Sequence, residues 1–426
     1  MKSRLVLLGM VLLLLVPLAS ISAQEKLSGK VVVYHYLVNG IHASVIEEIE
    51  NNFRKMYPDV TFENNGVNQT NYFSTIRQLV AAGETPDIFM GQPSQYPDII
   101  KTGVVKDLTN NAFLKNLGLL KGDINDSSYN GTLYAFPIDF KSYGVFYNKD
   151  IFKRLGLSVP KTHNELLEVA KKLKAAGIDP FIRCYNDQVF PDIEVRAYLW
   201  PALIKAGKTD AWTQLMNGTK KFADYPEWFK ALELWTKRMQ FSRIDDMGND
   251  QNKAVDAFTS EKGGMMYQGT WCISSMQQRN PKFDIGLFAM PTDEGPGSFC
   301  LQVDSIWMVN GQTNGGKIGE KFLEYWMSPK VAAMWTERVS QPSLTPGVDV
   351  SNLPAYLQDV IRAKNANLVA HAGEWKGQIY GEFVVSYRML LQEYAADQLS
   401  VKKLNPVTFT EKLQKEWDRI VATTKK

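Results

Sequence analysis

The chain has 426 residues, 45% of them hydrophobic, with 48 Lys and Arg against 45 Asp and Glu. That length exceeds what one hydrophobic core usually serves, so two lobes are expected. A net charge of +3 without a long basic run gives no support for nucleic acid or an anionic membrane surface as a partner.

The N-terminal segment reads as an export signal. Lys2 and Arg4 precede the apolar run Leu5 to Leu18, and the small residues Ser20-Ile21-Ser22-Ala23 follow. Cleavage is expected after Ser22 or Ala23. The run falls short of the roughly 20 apolar residues that a membrane-spanning helix needs. No Cys stands near the cut, so no lipid anchor is expected, and no other segment suits a membrane span. The mature chain is expected to be close to neutral, exported, monomeric and not membrane-embedded, and periplasmic where an outer membrane exists. Cys184, Cys272 and Cys300 form no C-x-x-C, and the four His form no H-x-x-x-H. No metal or cofactor is expected, and free buried thiols are.

Lys30 to Tyr36 is a strand with Val31-Val32-Val33 as its buried part. Ala43 to Met56 has helical apolar spacing, and Val60 to Phe62 begins a second strand. This strand–helix–strand opening argues for a parallel sheet, where ligands sit beyond the carboxyl ends of strands. His35, Tyr36 and Asn39 are candidates on that ground, against the plainer reading of solvated loop residues. Tyr72 to Ala82 is a helix. Ile88 to Met90 is a strand with Gln92 just beyond it, and a Gln can donate to and accept from vicinal hydroxyls.

Leu133 to Pro137 reads as a buried strand stopped by its proline. Asp139 follows directly, either as a ligand contact or as a turn carboxylate in water. Tyr143 to Tyr147 is a second β-prone run, which makes Tyr143 an aromatic neighbour of that carboxylate. Asn164 to Gly177 is an amphipathic helix. Trp212, Trp228 and Trp235 fit a core, and Trp200 fits either core or contact. Met265 to Tyr267 is a buried strand, Gly269 allows a tight turn, and Trp271 stands at the strand's end. A flat indole suits the apolar face of a pyranose ring. Cys300 to Val309 alternates and includes Asp304. Gly316 to Trp335 reads as one helix, Val339 to Gly347 breaks regular structure, and the chain from Phe383 to Thr423 is helical.

The order of motifs carries a resemblance. G-x-x-Y-x-x-P from Gly131 to Pro137 precedes Tyr147-Asn148-Lys149. G-L-x-x-P-x-T from Gly156 to Thr162 comes next, then Glu165-Leu166-Leu167 and the ending K-K-L-K-x-x-G-I-x-P-F at Phe181. Thr85-Pro86-Asp87 and A-F-x-x-x-K-G-x-M with G-x-W at Ala257 to Trp271 add to it. This pattern resembles the family 1 extracellular solute-binding proteins, the sugar-type receptors of bacterial ABC importers.

The resemblance implies an α/β, type II periplasmic-binding-protein fold with two lobes, each a mostly parallel sheet flanked by helices. It implies lobes of residues 24–138 with 291–340, and of 139–290 with 341–426. The crossings would lie at Phe136 to Asp139, after Met290 and around Pro342. Trp271, Asp304 and His371 resemble sugar-pocket positions, with Trp375 as a second stacking surface, although the Lys often found after this acid is missing. A hinge would not tolerate a bridge between Cys272 and Cys300, so none is expected. The implied function is non-enzymatic: binding a mono- or oligosaccharide and delivering it to ABC permease subunits. The alternatives are an exported glycoside hydrolase or lyase, for which no paired catalytic motif is visible, and the same fold holding a non-sugar solute.

Overall fold

The computed structural model describes residues 26–38, 41–375, 379 and 381–424. The expected signal segment and Asn39 lie outside the described residues. Strands β1 (Gly29–His35), β2 (Val60–Gly66) and β3 (Ile88–Met90) open the first lobe. Val31 and Val33 are fully buried, and the helix His42–Met56 lays Val45, Ile46, Ile49 and Phe53 into the core. That is the pairing of a period-2 strand with a period-3.6 helix stripe.

A short hairpin follows, β4 (Ser128–Tyr129) with β5 (Thr132–Leu133). β6 (Ala135–Pro137) then joins the first sheet, and β7 (Phe140–Asn148) begins the second. The second lobe adds β8 (Asp179–Ile182), β9 (Gly263–Gly269), β10 (Ile285–Phe288), β11 (Phe299–Val303) and, later, β13 (Val369–His371). β12 (Ile306–Val309) returns to the first lobe. The first sheet has the order β2-β1-β3-β12-β6 and the second β13-β11-β7-β9-β8, with β10 also pairing β7.

The sheets are mixed rather than mostly parallel. β1 runs parallel to β2 and β3, but β12 is antiparallel to β3 and β6. In the second lobe β7 is antiparallel to β9, β10 and β11. β6 runs directly into β7 with no helix between them, and β7 enters the second sheet against the direction of β8 and β9.

Residues 291–303 also sit differently from the expectation. β11 pairs with β7 and β13, so it belongs to the second sheet, and the chain recrosses between Val303 and Ile306 rather than after Met290. A further crossing runs through Ser340 to Leu344, where Pro342 O accepts from Phe140 N and Ile138 O accepts from Leu344 N. Ser340 adopts φ 56° as the helix Pro329–Val339 ends, a left-handed exit at a non-glycine residue. The helix expected from Gly316 to Trp335 is two, Asn314–Trp326 and Pro329–Val339, because Pro329 lacks the N–H that would continue the first. Cys184, Cys272 and Cys300 are buried and unpaired.

Candidate functional site

Trp271 sits in the one-turn helix Thr270–Cys272 directly after β9. Its indole folds back over Gly269, where a Cβ would lie 1.8 Å from the ring. Gly269 is therefore needed for space; its φ of −88° is open to any residue. The indole Nε1 donates to Gln251 Oε1 at 2.7 Å, and Tyr143 meets the ring edge-on with centroids 5.4 Å apart. Lys141 Nζ lies 5.8 Å from the centroid of the indole.

Alternation along β7 puts Lys141 and Tyr143 on one face, opposite Gln302 and Cys300 of β11. The Tyr143 hydroxyl donates to Gln302 Oε1 at 3.3 Å, and Lys141 Nζ donates to Asp304 Oδ1 at 2.5 Å. The side chains of Lys141 and Asp304 are 22% and 16% exposed, so this pair retains an opening to solvent. Burial works to raise the Asp304 carboxyl, and the Lys141 ammonium more than reverses it, holding it below its ordinary value. Tyr36, just past β1, is half-buried and faces this pair: burial and then the Asp304 charge push its hydroxyl up. The structure thus brings Trp271, Tyr143 and Asp304 together at the rim of the second lobe, with Tyr36 arriving from the first.

Asp139 takes a different place. It is fully buried between the lobes. Its Oδ1 accepts from Ser305 N at 2.8 Å and Gln341 Nε2 at 3.0 Å; its Oδ2 accepts from Trp335 Nε1 at 2.7 Å and Ser305 Oγ at 2.9 Å. Gln341 Nε2 also donates to Asp304 Oδ2 at 2.9 Å. Every crossing of the chain therefore supplies a side chain to one network. Asp139 is neither a turn residue in water nor an open contact, because its lone pairs are already engaged. Burial, and then the Asp304 charge, push its carboxyl up to about 7 against the pull of these donors.

The other candidates are turned inward. His35 Nδ1 accepts from Leu37 N at 3.2 Å, so Nε2 carries the proton and donates to Asn64 Oδ1 at 2.7 Å. Gln92 Nε2 donates to Asp126 Oδ1 at 2.9 Å, while Asp126 Oδ2 accepts from Val303 N at 2.9 Å. That single carboxylate joins a first-lobe loop to β11. His371 Nδ1 accepts from Gly373 N at 2.9 Å, and its Nε2 donates to Asp123 Oδ1 at 3.0 Å. Asp123 also accepts from Lys364 Nζ at 2.9 Å, and Lys364 lies over Phe140. Phe140 faces away from Lys141 on β7, so His371 is behind the cleft face, not on it.

Trp200 and Trp375 are buried against each other at 5.9 Å, and Trp212 packs on Trp375 at 6.2 Å. They line the helical layer of the second lobe rather than standing free at its rim. Among the described residues no group of His, Cys, Asp and Glu could hold a metal ion, and no helix is long and apolar enough to cross a membrane.

Sequence reasoning missed Lys141, Gln251, Gln302 and Gln341. Lys141 was within reach: starting the strand at Phe140 puts it on the Tyr143 face. Gln341 gave no signal, since only the crossing itself brings it to the carboxylates.

A family profile described as bacterial extracellular solute-binding protein matches residues 48–354. The multiple sugar-binding protein of Streptococcus mutans is 25% identical over 360 residues, covering 80% of this chain and 82% of that protein. The sn-glycerol-3-phosphate-binding periplasmic protein UgpB of Escherichia coli K12 is 25% identical over 247 residues. That match covers 53% of this chain, which spans about half of UgpB, 52% of its length. Among solved structures, RafE in complex with raffinose superposes with a TM-score of 0.73 at 21% identity, covering 92% of this chain and all of that one. The binding protein MsmE of Bacillus subtilis, in an open conformation, gives 0.75 at 18% identity over 94% of this chain and 99% of its own. These neighbours share the two-lobed fold. With the profile spanning well over half of its length, the chain belongs to the bacterial extracellular solute-binding proteins.

Proposed function

We propose that the protein is an exported receptor that binds a mono- or oligosaccharide in the cleft at Trp271 and delivers it to an ABC importer. The observation that carries this reading is the Trp271 indole beside a half-open Lys141–Asp304 pair, with Tyr36 approaching from the other lobe. An aromatic face next to paired donors and acceptors matches a sugar ring, which is apolar on its C–H face and polar around its rim. The names of the Streptococcus relative and of RafE, which concern sugars, support it. Two lobes joined by polar crossings suit closure by hinge bending. Membership in a family of binding proteins sets aside the hydrolase or lyase.

Export with cleavage after Ser22 or Ala23, a periplasmic or extracellular location, a monomeric state and permease subunits as partners belong to the same reading. Thermal unfolding against mono- and oligosaccharides, amino acids and sn-glycerol 3-phosphate tests it. Ligand at 100 times its Kd adds about 2.7 kcal/mol to stability. A sugar that raises Tm and is recovered intact supports the receptor. A rise with amino acids or the phosphate alone keeps the fold and overturns the ligand.

A further inference from the structure

We propose that Asp304 fixes the charge of the ligand: by neutralising Lys141, it makes the cleft take an uncharged sugar and refuse one that carries a carboxylate or phosphate there. This rests on the carbohydrate reading and adds to it the residue that selects by charge.

The Lys141 ammonium lies over the Trp271 face and is bonded to Asp304 Oδ1. Asp304 is held in place from behind by Gln341, whose Nε2 is shared with Asp139. The Lys141 ammonium is thus matched by the Asp304 carboxylate and is not left over for an anion. Behind Tyr143, Arg196 gives Nε to Asp192 Oδ1 at 2.6 Å and Nη2 to Asp192 Oδ2. Arg388 Nε donates to the same Oδ2 at 2.9 Å. Lys364 is committed to Asp123 on the opposite face of β7.

An anionic sugar entering beside Trp271 would lose water and meet Asp304 without a counter-ion, which burial makes expensive. A neutral diol meets no such penalty. Lys141 keeps donor capacity beyond its bond to Asp304, since an ammonium has three N–H groups, and the carboxylate keeps acceptor capacity. The same pair that repels an anion can therefore bracket adjacent hydroxyls.

The test is calorimetric titration of the mature protein with raffinose, stachyose and the preferred neutral sugar from the thermal panel. Each is compared with its counterpart oxidised to a terminal carboxylate, and sn-glycerol 3-phosphate is included. All titrations are run at one pH, 8, because His42 is a titratable neighbour of Asp304. The parent protein is expected to prefer the neutral sugar by about 100-fold or more, as an unpaired buried charge requires. Asp304→Asn frees Lys141, so its affinity for the carboxylate form should rise at least about tenfold and weaken with salt.

Equal binding of neutral and anionic forms by the parent would overturn the inference and leave the carbohydrate reading standing. So would an Asp304→Asn variant that loses both ligands alike, or anion binding by the parent that Arg388→Gln abolishes. If no sugar of either kind binds, both the inference and the reading fall. Should Asp304→Asn not fold, Lys141→Met decides: the preference against the anion should persist or grow, and its disappearance would overturn the proposal.

Discussion

In the proposed receptor, Trp271 is the residue on which sugar binding is expected to turn. Its ring edge is occupied by Tyr143, its Nε1 by Gln251, and its face stands beside Lys141. The neighbours fix the indole without sealing it, since the residue is half-buried. Trp271→Ala is expected to weaken sugar binding at least about tenfold, equivalent to ~1.4 kcal/mol, with a smaller change in Tm than in affinity. Titration calorimetry paired with a melting curve separates the effects; unchanged affinity would move the stacking surface elsewhere. Residues of the same type have different work when the backbone aims them differently. Asp139 and Asp304 both follow a strand, yet Asp139 is fully buried under N–H and O–H donors while Asp304 reaches solvent through Lys141.

At the scale of elements, the short helix Lys121–Asp126 lies between the lobes. Asp126 joins Gln92 to Val303, Asp123 joins Lys364 and His371, and Asn125 Nδ2 donates to Gly373 O at 3.0 Å. The contact is close because both partners present glycine: a Cβ on Gly373 would lie 1.8 Å from Gly122 O. Gly373→Ala is expected to cost about 1–3 kcal/mol through overpacking. Gly248→Ala, at a position with open space, serves as the control. Chemical denaturation of both checks this, and equal stability would mean that the helix shifts freely.

The helix His163–Ala175 carries a pH dependence. The His163 ring is buried, with Nδ1 3.4 Å from the Tyr198 hydroxyl and Nε2 without a partner among the described residues. Burial, and then the Arg238 charge, push it down to about 4 from 6.5. The unfolded chain therefore binds a proton between those values that the native state refuses, and stability falls as pH falls from 6.5 to 4. His163→Phe should flatten that limb in melting curves taken across the window; an unaltered slope would assign it to another group.

At the scale of the whole molecule, the lobes are joined by crossings that share polar side chains. Ser305, Trp335 and Gln341 converge on Asp139, and Gln341 reaches on to Asp304. Asp139→Ala leaves the Ser305 and Trp335 donors buried without this acceptor, while Gln341 keeps Asp304, and is expected to lower stability by about 3 kcal/mol or more. Urea unfolding measures the loss. A change below ~1 kcal/mol would mean that water replaces the carboxylate and that the crossings do not depend on it. Because Asp304 lies at the candidate cleft and Asp139 at the crossings, the proposed site and the lobe crossings share this one network.

The sequence by itself determined the two-lobe plan, the strand–helix alternation of the first lobe, the strand ending at Trp271 and the family resemblance. These follow from length, local periodicity and motif order, which operate over short stretches of chain. Tertiary structure alone decided which polar residues face the cleft. His35 and Gln92 lie at strand ends as the sequence suggests, and His371 closes β13, yet each is claimed by a partner distant in sequence: Asn64, Asp126 and Asp123. Lys141 gains its role from Asp304, and Gln341 from both Asp139 and Asp304, across long sequence separations. Hydrogen-bond partners of that kind are set by strand register and chain crossing, which no local pattern encodes. A polar residue at a strand end is free for a ligand only when the folded chain has not already satisfied it.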